Sequence, residues 1–134
     1  MLNIDFVPTW VELTGARAER TMDGMSLVPL LRGTPPTPGQ WRQDFLVEIY
    51  SAVEQIRAVR SAQWIYAEST VSGERQLYDL RADPYELESL HDSAPMDTIE
   101  QLSNRLHELS ECAGDTCSGP IGCCQQRTQL IPGR

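Results

Sequence analysis

The chain has 134 residues, of which 40% are hydrophobic and 22% are charged, so it can form one folded domain. Its formal net charge is −8, from 19 acidic and 11 basic residues, which argues against nucleic-acid binding because that binding depends on clustered positive charge. All the basic residues are arginine, so chemistry that needs a lysine side chain is excluded.

No apolar run reaches the roughly 18 residues that a membrane helix requires. The N-terminal segment also lacks the basic stretch followed by an apolar one that is typical of a signal peptide. We therefore expect no membrane association and no secretion signal within this sequence, and we predict no particular compartment.

Residues 3–14 are predicted to form a helix that packs on a core. Asp5 is a candidate N-cap, and Gly15 is a natural stop because glycine readily adopts the left-handed conformation. The apolar side chains recur at helical spacing and form one face, with Phe6, Trp10 and Leu13 at its centre and Val7 and Val11 beside them.

Residues 23–33 form a second unit with clear boundaries. Asp23 and Gly24 indicate a turn, Ser26 can cap a short helix, and Gly33 can end it. The proline-rich residues 35–39 then predict a loop without regular structure, which is the expected internal boundary of the chain.

Four strands are predicted in the middle of the chain, because segments rich in β-forming residues alternate with short polar turns. Connections this short favour antiparallel neighbours. The predicted strands are residues 45–50, 56–60, 63–68 and 75–79.

After the fourth strand, Asp83, Pro84 and Glu86 stand in the order of a helix N-cap, a first helical residue and a capping-box acid. They predict the start of a helix. A second helix is predicted over residues 96–111, with one apolar stripe formed by Met96, Ile99, Leu102, Leu106 and Leu109.

The four cysteines all lie near the end of the chain and leave two interpretations open. Together with His107 they could supply zinc ligands, although the adjacent Cys123 and Cys124 make convergence on one ion awkward. Alternatively, Cys123 and Cys124 are free thiols. The polar, glycine-containing residues 118–134 predict a disordered tail.

Three segments resemble motifs of the sulfatase family, and they occur in the family's order. Asn3–Thr9 resembles NID-x-x-PT, Asp23–Gly33 resembles DG-x-SL-x-PLL-x-G, and Leu77–Leu90 resembles LYDL-x-x-DP-x-E-x-x-x-L. Residues 112–117 are similar to the end of the glucosamine-6-sulfatase-like branch. The resemblance therefore covers residues 3–117.

The resemblance implies an α+β fold, with a small four-stranded antiparallel sheet packed against a C-terminal helix. In that family the sheet follows a larger, alkaline-phosphatase-like α/β domain. Residues 1–40 would then be the tail end of the catalytic α/β domain, and residues 41–117 the C-terminal subdomain. Because the helical segments normally dock on the larger domain, we expect an exposed apolar patch that comprises Phe6, Trp10, Leu27, Leu30 and Leu31.

Sulfatases cleave sulfate esters with a formylglycine made from the cysteine of a C-x-P-x-R motif and with a calcium ion. No cysteine of this chain begins such a motif, so no residue inherits a catalytic, cofactor-binding or metal-binding role. We predict a chain that is inactive alone, contains no cofactor, and has the N-terminal catalytic half of a sulfatase as its partner. The alternative is a non-enzymatic module that binds a separate catalytic half or a sulfated glycan.

The resemblance also implies a disulfide between Cys112 and Cys117, which the intervening Gly114 would help to close. Arg42, Arg57 and Arg60 could present a positive edge to a sulfated sugar, since guanidinium groups suit sulfate as they suit phosphate. The simpler interpretation is that these arginines face solvent. His91, His107 and the acids Glu48, Glu54 and Glu68 are also expected to be solvated or to cap helices.

Overall fold

The computed structural model describes residues 1–37 and 39–113, which divide into two compact units. One unit includes Met1–Arg42 and the other is Gln43–Glu111. In these described ranges, no helix combines the length and the apolar character needed to cross a bilayer. The predicted tail, residues 118–134, lies outside the described residues.

The first unit begins with a 3-10 turn, Asn3–Asp5, that leads directly into helix α1, Phe6–Thr14. Gly15 ends α1 in the left-handed conformation, with φ of 69°, as predicted. The buried residues of α1 are Pro8 and Thr9, while its apolar face is exposed at Phe6, Trp10 and Leu13. The helix is therefore confirmed, but its large apolar side chains are not buried within this chain.

Helix α2, Val28–Leu31, is a single turn that is held against α1. The hydroxyl of Thr9 accepts the backbone N–H of Leu27 at 2.9 Å, and the hydroxyl of Ser26 accepts that of Val28 at 3.2 Å. Leu27 is consequently buried, so its expected place in an exposed patch is wrong. Leu30 and Leu31 are exposed, as expected.

At Gly24 the backbone passes close to the 3-10 segment. A Cβ atom at this position would lie 2.0 Å from the carbonyl oxygen of Ile4 and 3.1 Å from the backbone nitrogen of Asp5. Only glycine lets the turn pass this close to the 3-10 segment. Close packing therefore explains why the second motif has a glycine at position 24.

The second unit contains a four-stranded antiparallel sheet in the order β1-β2-β3-β4, as predicted. Val59 pairs with Leu46 and Tyr66, and Tyr66 pairs with Leu77, so these four side chains share one face. The strands are β1 Asp44–Tyr50, β2 Gln55–Ser61, β3 Trp64–Ser69 and β4 Arg75–Asp79.

Helix α3, Met96–Glu111, packs across β1, β2 and β3 and buries Ile99, Leu106 and Leu109. The core beneath α3 consists of these residues and the buried sheet residues Val59, Tyr66 and Leu77, and Ala58 is buried on the opposite face of the sheet. Met96 is 72% exposed and does not join the predicted stripe, because it is the first residue of α3 and burial begins one turn later. The predicted α+β fold is confirmed.

The predicted helix at Asp83–Glu86 is wrong. Glu86 has φ of 58°, which is left-handed, and a helix cannot continue through it. The carboxylate of Asp83 instead accepts the backbone N–H groups of Leu87 at 2.6 Å and Glu88 at 3.0 Å. Asp83 thus accepts free backbone donors, as its position suggests, but it stabilises a turn.

Candidate functional site

Asp5 is the most enclosed acid of the Met1–Arg42 unit, with 0% of its surface exposed. Its carboxylate accepts the backbone N–H of Leu2 at 2.7 Å, the backbone N–H of Met25 at 3.0 Å, and Nη2 of Arg42 at 2.5 Å. Asp5 stands at the predicted N-cap position of α1, but its carboxylate makes no capping hydrogen bond to that helix. The carboxylate joins three separate segments of the unit instead.

Burial alone would raise the pKa of Asp5, but hydrogen bonds from Met25 and Leu2 and the guanidinium of Arg42 outweigh it and hold the pKa below its usual value. Because the folded pKa is lower than the unfolded one, ionised Asp5 stabilises the unit at neutral pH. That stabilisation is lost as the pH falls through the folded pKa.

We therefore expect the amide of Met25 to lose protection from hydrogen exchange as the pH falls below about 4. Amide exchange measured by NMR, corrected for intrinsic rates, would show this loss. In Asp5→Asn the titrating group is absent, so protection at Met25 should be weaker at neutral pH and should change less on acidification. Equal acid sensitivity in the variant would contradict this role for Asp5.

Arg42 has 10% of its side chain exposed, and its charge is paired with Asp5. Its guanidinium also lies 5.8 Å from the centre of the Trp41 ring, within range of a cation–π contact. This environment gives Arg42 a structural role in the first unit. That Arg42 faces a sulfate stays a prediction.

Arg57 and Arg60 both lie on β2, but three positions apart, so their side chains leave opposite faces of the sheet. Nε of Arg57 lies 3.3 Å from Glu48, and Nη1 of Arg60 lies 3.3 Å from Glu86. The fold thus does not bring these two guanidinium groups together around one ligand. A sulfate-facing role for either of them stays a prediction.

The second unit contains a buried ion cluster that sequence analysis missed. Arg105 of α3 donates two hydrogen bonds to Asp44 of β1, from Nε at 2.8 Å and from Nη2 at 2.9 Å, and a third to Glu108 at 2.9 Å. These acceptors, Asp44 first, raise the pKa of Arg105 against the opposing effect of burial. The pair links the C-terminal half of α3 to the edge strand β1.

Glu68 is the centre of a second polar group, beneath α3. It accepts the hydroxyl of Tyr66 at 2.6 Å and the hydroxyl of Ser103 at 3.1 Å. Burial, together with the hydrogen bond to Glu68, raises the pKa of Tyr66. Glu68 is therefore half-buried and hydrogen-bonded, contrary to the expectation of a solvated acid. Glu54 likewise accepts the hydroxyl of Ser69.

The described residues do not form a metal site, because no three His, Cys, Asp or Glu side chains within them converge. His91 is half-buried with its ring 6.4 Å from that of Tyr66, and His107 is exposed with Nδ1 2.8 Å from the carbonyl oxygen of Ser103. Three of the four cysteines lie outside the described residues, so the zinc site and the Cys112–Cys117 disulfide stay predictions.

A protein-family model, N-sulphoglucosamine sulphohydrolase, C-terminal, matches residues 1–112 of the chain. The chain belongs to the sulfatase family. Among relatives of this sulfatase chain, an arylsulfatase of Chlamydomonas reinhardtii is 32% identical over 89% of the chain. A goat N-acetylglucosamine-6-sulfatase is 27% identical over 88%, and a choline-sulfatase of Rhizobium meliloti is 33% identical over 75%.

Two solved structures have the same fold at 22% sequence identity. A sulfatase structure from Bacteroides thetaiotaomicron aligns with a TM-score of 0.61, and the structure of a 2-O GAG sulfatase aligns with a TM-score of 0.63. Each alignment covers 90% of this chain and 28% of the other chain. The resemblance that the three motifs indicate is confirmed.

The sulfatase chain spans only part of its relatives, namely 23% of the Chlamydomonas arylsulfatase and 27% of the goat enzyme. Members of the family use calcium and formylglycine. The sequence contains no Cys-x-Pro-x-Arg motif, and the described residues contain no group of acids that fits calcium. The residues present therefore do not fit either group.

The three sulfatase motifs have structural roles in this chain. Asp5 of the first motif links three segments, and Gly24 of the second permits close backbone approach. Asp83 of the third motif accepts two N–H groups within its turn. Each of the three motifs thus contains a residue whose contacts hold its part of the fold together.

Proposed function

We propose that this chain is the C-terminal portion of a sulfuric-ester hydrolase and serves that enzyme as a scaffold. The match of residues 1–112 to the C-terminal family model is the observation that carries the proposal. The relatives support it, because the chain corresponds to about a quarter of their length.

Chemistry also supports a scaffold role. Hydrolysis of a sulfate ester needs a nucleophile and positive charge that stabilises the departing sulfate. The sequence offers no formylglycine motif, and the candidate arginines Arg42, Arg57 and Arg60 each lie within 3.3 Å of an acid. A role in binding a sulfated glycan has less support, since the net charge of −8 opposes a polyanion.

The purified chain should not hydrolyse 4-nitrophenyl sulfate, with or without added calcium, because its sequence has no formylglycine motif and residues 1–37 and 39–113 contain no cluster that could hold a cation. Absorbance of released 4-nitrophenol measures the reaction. Turnover by the chain that disappears on calcium chelation would overturn the scaffold role.

A chimera tests whether this chain can serve as the C-terminal scaffold of an active sulfatase. In the Chlamydomonas arylsulfatase, the segment that matches this chain would be deleted in one variant and replaced by this chain in another. We expect the deletion variant to lose turnover of 4-nitrophenyl sulfate and the replacement variant to recover it. A soluble, monodisperse replacement variant without turnover would contradict the proposal.

A further inference from the structure

The Asp83–Glu88 turn holds two large apolar side chains in solvent. Tyr85 is 82% exposed and Leu87 is 78% exposed. Both belong to the third sulfatase motif, whose turn has no part in the core of the second unit. Two such side chains in one short turn form a small apolar area, which gains significance where it adjoins a larger apolar surface.

Several hydrogen bonds lie within the turn. The carboxylate of Asp83 accepts the N–H groups of Leu87 and Glu88, and Glu86 adopts a left-handed conformation between the two apolar residues. A non-glycine residue in that conformation costs free energy and persists where its surroundings fix it. The contacts around Glu86 are the hydrogen bond from its N–H to the carbonyl oxygen of Asp83 at 3.2 Å and an ion pair with Arg60 at 3.3 Å.

Both ends of the turn are attached to β4. The N–H of Asp83 donates to the carbonyl oxygen of Asp79 at 2.7 Å, and the N–H of Leu90 donates to that of Leu77 at 2.7 Å. The hydroxyl of Ser89 also accepts the N–H of Leu77 at 3.2 Å. A segment restrained in this way loses little conformational entropy when a partner binds it.

The turn lies beside the sheet face that α3 does not cover. Val59 faces α3, so the next residue, Arg60, which holds Glu86, points to the opposite face. The strand register places five large apolar residues on that same face, where they are half-buried or exposed, around the buried Ala58. They are Phe45, Val47, Ile49, Ile56 and Ile65.

We propose that Tyr85 and Leu87, with this open sheet face, form the surface on which the catalytic portion of the sulfatase docks. The inference rests on the proposed function and specifies its contact surface. The catalytic portion is the expected partner of this surface, because the relatives and the aligned structures contain about three-quarters of their residues outside the region matched here. The acids Asp83, Glu86 and Glu88 surround the two apolar side chains, so the receiving pocket should have a basic rim.

The test uses the chimera of the Chlamydomonas arylsulfatase that contains this chain. The double variant Tyr85→Ser/Leu87→Ser should lower the temperature of half-inactivation of 4-nitrophenyl sulfate turnover by about 5 °C or more. The same double variant in the isolated chain should leave its thermal midpoint within about 1 °C, since side chains this exposed contribute little to its own stability. Tyr85→Phe should preserve the chimera's midpoint.

Val71→Ser is the matched control, because Val71 is an exposed apolar residue of the β3–β4 connection, at 63%. It should not shift the half-inactivation temperature of the chimera. An active chimera that tolerates Tyr85→Ser/Leu87→Ser unchanged overturns the docking inference alone, whereas an inactive parent chimera overturns the proposed function. An isolated chain that light scattering shows as a dimer, and that the double variant makes monomeric, would assign the surface to a second copy and also overturn the inference.

Discussion

Arg105→Ala should lower the free energy of unfolding of the Gln43–Glu111 unit by about 3–5 kcal/mol. Arg105 is 10% exposed and donates to both carboxylate oxygens of Asp44, which is 11% exposed. Removing the guanidinium leaves the Asp44 charge buried without a partner, and that desolvation cost is the main source of the effect. Urea unfolding followed by residue-resolved NMR would measure the loss for this unit separately.

Arg75→Ala is the matched control for Arg105→Ala. Arg75 is 52% exposed, and its nearest contact to Glu68 is 3.6 Å, so its removal should cost less than about 1 kcal/mol. The double variant Asp44→Leu/Arg105→Met should recover most of the stability, because an apolar pair of similar volume carries no buried charge. A loss below about 1 kcal/mol in Arg105→Ala would show that Asp44 finds solvent or another partner.

The elements of the second unit could be predicted because their signals are local. Alternating side chains and short turns determine β1 to β4, and spacings of three and four residues determine α3. The N-cap pattern at Asp83 led to the wrong prediction of a helix, because a carboxylate that accepts backbone N–H groups stabilises turns as well as helix starts. The observed difference lies at Glu86, which is left-handed and pairs with Arg60, 26 residues earlier in the sequence.

The polar clusters could not be predicted, because their members are distant in sequence. Asp44 and Arg105 are 61 residues apart, and Asp5 and Arg42 are 37 residues apart. A single sequence contains no signal for such pairs until the fold places them together. The motif resemblance did not depend on such long-range pairs. It identified the family, and the family's fold implied the antiparallel sheet and the C-terminal helix.

In the first unit, Asp5→Ala should lower the free energy of unfolding by about 3–5 kcal/mol. The substitution leaves the N–H groups of Leu2 and Met25 without their acceptor and leaves Arg42 as a buried cation without its carboxylate. Loss of protection at Met25 and Leu27, measured by hydrogen exchange at pH 7, would report the effect for this unit alone.

Asp5→Asn separates charge from shape in this prediction. The asparagine oxygen can still accept one backbone N–H, but its amide group cannot neutralise Arg42. The free energy of unfolding of Asp5→Asn should therefore lie between those of the wild type and Asp5→Ala. Glu12→Ala, at an exposed position of α1, should stay within about 0.5 kcal/mol. If Asp5→Ala is no more harmful than Glu12→Ala, the buried carboxylate does not join the segments of this unit, and the first sulfatase motif needs another physical explanation.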